Sequence, residues 1–174
     1  MDLSKLLRAE HSKKQTDRIV GYIGSDRDRF AGLMKLFFEG EYRITQRAAW
    51  PLSYCVRQHP GLITPYYKRL LDNLGRKDIH PAVIRNTLRL LQDVSIPKRF
   101  HGQVMTTCFD LIQDPSTPVA IKAFSLTILS NLSAEYPEIR GELKVIIEEQ
   151  WEQATPAFRV RAKKLLAATP HRHP

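Results

Sequence analysis

Asp114–Leu132 reads DPSTPVAIKAFSLTILSNL. Two prolines and two hydroxyl residues open the stretch as a turn. Apolar residues then recur at helical spacing: Val119, Ala123, Leu126, Ile128, Leu129 and Leu132. The pattern predicts a turn leading into the inner helix of a helical hairpin, and it returns through the chain. The basic residue early in this helix is Lys122, with Arg85 and Arg47 before it and Arg161 after, at spacings of 38, 37 and 39 residues in chain order. A small residue follows the cation in Arg47-Ala48, Lys122-Ala123 and Arg161-Ala162, and Asn86 after Arg85 is the exception. Pro81, Pro118 and Pro156 precede these helices, and Pro60, Pro97 and Pro137 follow the first three. Two helices per unit at this period mark an α-solenoid. A lone hairpin cannot bury both faces, so successive hairpins must share one core.

Working outward, residues 1–26 read as a helical cap, with Leu3, Leu6 and Leu7 on a first short helix and Ser12 as N-cap of a second. Four hairpins follow at about 27–59, 60–96, 97–136 and 137–168, and residues 169–174 read as a frayed tail. The first outer helix carries Phe30, Leu33, Met34, Phe37 and Phe38. Its inner partner carries Ala48, Leu52, Cys55 and Val56, with Pro51 inside it, which predicts a bend. Thr64-Pro65 predicts the N-cap and first residue of the next outer helix, and Pro81 the start of its inner partner. No segment alternates as a strand does, so the fold class is all-α in a single repeat domain.

An acidic residue, a proline-bearing turn and then Val-x-x-Lys/Arg-Ala resembles the HEAT repeat. Asp114, Pro118, Val119, Lys122 and Ala123 carry the likeness. Asp78, Pro81, Val83 and Arg85 carry it again. The resemblance implies a right-handed superhelix of about four HEAT-like hairpins with a concave binding surface. The whole chain is also similar to a group of short bacterial HEAT-like proteins of unestablished activity, some of them labelled adenylosuccinate lyase. That enzyme family has a far longer chain and a Ser-Ser-x-Met-Pro-x-Lys-x-Asn loop. Neither is present here, so no lyase activity is expected.

The chain has 174 residues, enough to bury a real core, and a net charge of +9 from 27 basic and 18 acidic residues. That charge suits an acidic partner, nucleic acid included. The Leu6-Leu7 run is too short for a signal peptide, and no run reaches the about 18 apolar residues of a membrane span. A cytoplasmic protein with no membrane partner is expected, with Cys55 and Cys108 as buried thiols. No glycine-rich phosphate loop occurs, and no histidine pairs with another ligand at metal-binding spacing on one helix. Cys55 and His59 share a helix face without a visible third group, and His171 and His173 lie on the tail. No catalytic residue, metal or cofactor is therefore expected.

The informative feature is the basic ladder. In one reading Arg47, Arg85, Lys122 and Arg161 each pair with an acid of the preceding turn, namely Glu39 or Glu41, Asp78, Asp114 and Glu152, and fix repeat register. In the other they face a groove, extended by Arg57, Arg89 and Arg159 with Trp50 and Tyr54 interleaved. The leading expectation is a non-catalytic scaffold that binds a protein on its concave face. The alternative is a nucleic-acid binder, related to DNA repair, that follows a phosphate backbone along the row. HEAT-like alkylpurine DNA glycosylases use the architecture in that way, but no motif from their catalytic site occurs here. Oligomeric state is not written in the sequence.

Overall fold

A computed structural model describes residues 1–76 and 79–167. Ten α-helices and two 3-10 helices make up the described chain, and no strand occurs among those residues. The chain divides by its internal contacts into two compact units, Met1–Ile96 and Pro97 onward, parting where the second and third hairpins were expected to meet.

The first unit comprises α1 (Leu3–Ala9), α2 (Lys13–Ile23), α3 (Arg27–Glu39), α4 (Tyr42–Gln58), a 3-10 helix (Pro60–Tyr66), α5 (Tyr67–Leu74) and α6 (Pro81–Leu91). Short polar side chains start its first three helices. An Asp2 carboxylate oxygen accepts the Lys5 amide at 3.0 Å, and Ser12 Oγ accepts that of Gln15 at 3.1 Å. Asp26 accepts the amides of Asp28 and Arg29, both at 3.0 Å. Gly24 ends α2 at φ +50°, in the half of backbone space that side-chain-bearing residues avoid.

α4 is the hub, packing against α1, α2, α3, α6 and the 3-10 helix. Its Ala48, Leu52 and Cys55 are wholly inaccessible, and the helices it packs against bring the buried Phe30, Leu33, Met34 and Phe37 of α3 and Leu88 and Leu91 of α6. Each large apolar side chain buried in this way contributes roughly 1.5–3 kcal/mol. Pro51 is buried, and the chain stays helical through it although the Arg47 carbonyl has lost its amide partner. Thr64-Pro65 does not start the second outer helix. Pro60 opens a 3-10 helix right after α4, Leu62 and Ile63 bury beneath it, and this helix runs into α5 without a break.

The second unit comprises a 3-10 turn (Lys98–Phe100), α7 (His101–Gln113), α8 (Val119–Leu132), α9 (Ile139–Gln150) and α10 (Pro156–Ala167). α8 packs on both α7 and α10, and Ala123, Leu126, Ile128 and Leu129 are buried as the spacing predicts. Val119 is not. It shares a face with Ala123, but it stands on the first turn of α8 beside an open recess, while Ile121 turns into the core instead. Gln150 ties the end of α9 to α7 by donating to the Ile112 carbonyl at 2.9 Å. The expected tail, with His171 and His173, lies outside the described residues.

Candidate functional site

α4 and α6 place Arg47 and Arg85 in the first unit, and α8 and α10 place Lys122 and Arg161 in the second. The four residues hold one repeat position but have different surroundings.

Arg47 is engaged. Its Nη1 donates to the carbonyls of Leu7 and Arg8, each at 2.8 Å, and so closes the C-terminal end of α1. Arg161 is engaged as well, through Nε to Thr127 Oγ1 at 3.1 Å and Nη1 to the Ala157 carbonyl at 3.2 Å, with its guanidinium over Phe124. Neither pairs with the acid expected of it. Glu41 is taken by Arg8 at 2.8 Å and Glu39 by Arg69 at 3.0 Å, while Glu152 offers its backbone carbonyl to Arg159. The reason is geometric. Helix ends leave carbonyls without amide partners, and a guanidinium carries five donors in a fork that reaches them.

The extended set divides in the same way. Arg57 pairs with Asp93 at 2.5 Å and lies beside the Tyr54 ring, with Lys13 on that ring too. Arg159 donates to the Trp151 carbonyl at 2.8 and 3.1 Å and stacks over its indole.

Arg85 and Arg89 differ from these. Neither hydrogen-bonds or ion-pairs with any described residue; Asp78, the acid expected beside Arg85, lies outside the described residues. The two arginines stand one turn apart on α6, where like charges repel. Together with His11, Gln46, Trp50 and Asn86 they line a recess of about 270 Å³. The Trp50 indole forms a wall, with the His11 ring set against it at 5.2 Å. Asn86 is 5% exposed, and its side-chain Nδ2 has no acceptor. At the equivalent positions Ala48, Ala123 and Ala162 are buried small residues. A slot that packs apolar in the other three hairpins therefore holds an unsatisfied amide in the second, at a cost of about 1–3 kcal/mol.

In the second unit Lys122 also borders a recess, of about 260 Å³, with Thr117, Val119, Gln150, Thr155 and Phe158. Burial pushes its ammonium below the usual lysine range, and the Asp114 carboxylate partly offsets the shift without forming an ion pair. Asp114 itself accepts the Ser116 hydroxyl at 2.7 Å and amide at 2.8 Å, which holds its carboxyl below the usual range.

Burial pushes the Cys55 and Cys108 thiols up to about 12, so both stay protonated, and Cys55 gives His59 no thiolate to work with. No group of three or more His, Cys, Asp or Glu that could hold a metal occurs among the described residues. No described helix is long and apolar enough to cross a membrane.

Sequence reasoning found Arg85, Arg89 and Trp50 but missed His11, Gln46 and Asn86. The signal for Asn86 was available as the one break in the cation–small-residue pair.

Repeated helical hairpins with cations at a fixed position on the second helix define an all-α repeat protein. The family model described as HEAT repeat domain matches residues 3–169, and the chain belongs to that family. No curated protein and no solved structure matches the chain.

Proposed function

We propose that this HEAT repeat protein is a non-catalytic scaffold that binds an acidic segment of a partner protein on the second helices of its hairpins. The observation that carries the reading is the pair Arg85 and Arg89, two guanidiniums without an acid partner at the rim of a recess walled by Trp50. Arginine and tryptophan dominate binding hot spots because they combine large contact area with directed donors. An acid brought by a partner would neutralise charge that the protein leaves unmatched.

Protein is favoured over nucleic acid by how the cations of the first unit are used. A phosphate backbone needs a run of free cations. Of the four cations of the row in this unit, Arg47 spends its Nη1 on two carbonyls and Arg57 is neutralised by Asp93, which leaves Arg85 and Arg89 without a described partner.

Display of random peptides against the full chain tests the proposal, with labelled single- and double-stranded oligonucleotides as comparison. The expected result is enrichment of peptides rich in Asp and Glu whose binding falls in Arg85→Ala and Arg89→Ala. Oligonucleotide binding at micromolar affinity, weakened by those substitutions and by salt, would replace the protein reading with the nucleic-acid one.

A further inference from the structure

The recess of the first unit has a more specific stoichiometry than a general attraction for acids. It presents two guanidinium groups, Arg85 and Arg89, that no described residue neutralises, and one buried amide donor, Asn86 Nδ2, that no described group accepts. A carboxylate brings one negative charge and two oxygens. It can neutralise one guanidinium and fill one fork, which leaves the other charge and the amide as they are. A phosphate monoester brings a charge of about −1.5 to −2 at neutral pH and three strong acceptor oxygens. Two positive charges meet nearly two negative ones, and three oxygens meet two forks and an amide. Arginine is the side chain suited to such bidentate contacts. The Trp50 wall supplies apolar surface for the carbon side of the ester, and a recess of about 270 Å³ holds such a group.

We propose that this recess, formed by Arg85, Arg89, Asn86 and Trp50, receives a phosphorylated side chain of the partner segment. The inference rests on the acidic-partner reading above and adds its regulation, because a partner kinase or phosphatase would then set occupancy. It also accounts for Asn86. An amide that destabilises the free protein by standing unpaired gains its acceptor on binding, so its cost in the free state becomes selectivity in the bound one.

The test uses the full chain and fluorescence anisotropy with degenerate peptide pools that carry phosphoserine, phosphotyrosine, glutamate, a Glu-Glu pair or unmodified serine at a fixed central position. Inorganic phosphate, adenosine 5′-monophosphate and a 5′-phosphorylated oligonucleotide serve as competitors. A phosphorylated pool should bind at least about tenfold more tightly than either glutamate pool, the advantage expected of an added charge-assisted contact. Arg89→Ala and Asn86→Ala should each remove most of that advantage, and Arg89→Lys should restore only part of it, because an ammonium cannot offer the fork. Arg89 is exposed and without partners, so its variants fold as the native chain does, and circular-dichroism melts check this.

Equal binding of the glutamate and phosphorylated pools would overturn the phosphate proposal and leave the acidic-partner reading standing. Absence of binding by every pool would overturn both. Displacement of a phosphorylated pool by the 5′-phosphorylated oligonucleotide at lower concentration than by unlabelled phosphopeptide would overturn the assignment to a protein partner. A phosphopeptide advantage that survives both Arg89→Ala and Asn86→Ala would place the phosphate elsewhere and overturn the site.

Discussion

Arg47 and Arg85 occupy one repeat position, and the structure predicts opposite consequences for removing them. Arg47→Ala deletes two charge-assisted hydrogen bonds of 2.8 Å to the carbonyls of Leu7 and Arg8. Hydrogen bonds to charged groups contribute about 1.5–3 kcal/mol each when buried. One of this pair is exposed and water can replace it, so the expected total is about 2 kcal/mol. A further few tenths come from losing a positive charge at the C-terminal end of α1. Arg85→Ala deletes no hydrogen bond or ion pair to a described residue and relieves repulsion from Arg89, so its effect should lie within about 0.5 kcal/mol of zero, in either direction. Urea unfolding followed by far-ultraviolet circular dichroism measures both. With a slope near 2 kcal/mol per molar, Arg47→Ala should lower the midpoint by about 1 M and Arg85→Ala by less than about 0.3 M. Amide hydrogen exchange locates the loss: protection should fall at residues 3–9 in Arg47→Ala alone. Equal midpoint losses in the two variants would show that Arg85 is held as Arg47 is, and the division between engaged and available cations would collapse.

Two further expectations concern the core. Ala123 is 2% exposed on α8, which packs against α7 and α10, so Ala123→Leu should overpack the second unit by about 1–3 kcal/mol and lower its unfolding midpoint; an unchanged midpoint would mean that the helices do not close on this residue. Burial holds the Cys55 and Cys108 thiols at about 12 against an ordinary 9.0, so the folded chain keeps protons that the unfolded chain sheds. That stabilisation is complete below pH 9 and is lost as pH rises toward 12, by up to about 1.4 kcal/mol per pH unit for each thiol. Unfolding midpoints at pH 8 and pH 10 should therefore diverge more in the native chain than in Cys55→Ala/Cys108→Ala, and equal divergence would deny the thiols this role.

The repeat was legible because it is written in residues whose effect is local. Pro81, Pro118 and Pro156 start helices wherever they stand, and the buried phases of α3, α6 and α8 follow from apolar spacing alone. Val119 and Ile121 mark where this kind of reading ends. Spacing puts Val119 on the apolar face, but only the packed neighbours reveal that it is left exposed beside a recess while Ile121 on the same turn is buried. The partners of the cations were illegible for a related reason. Arg47 reaches a carbonyl 40 residues away, and backbone carbonyls leave no trace in a sequence, whereas the acids that seemed to answer it are visible in one. His11 joins the recess from the connection between α1 and α2, which no local pattern encodes, whereas Gln46 stands one turn before Trp50 on α4.

One repeat position has thus been put to two uses, and the difference lies in what the preceding structure offers it. In the first hairpin the neighbour is the end of α1, whose terminal carbonyls need donors, and Arg47 supplies them. In the last hairpin Arg161 finds Thr127 and the Ala157 carbonyl within its own unit. In the two hairpins between them in sequence, Arg85 and Lys122 border open recesses without an ion pair to a described residue. Two cations one turn apart without a described partner, with the orphan amide of Asn86 beside them, lower the stability of the isolated protein. A fold built on local consistency departs from it where another requirement holds, and under the function proposed above that requirement is binding at the Arg85–Arg89 recess.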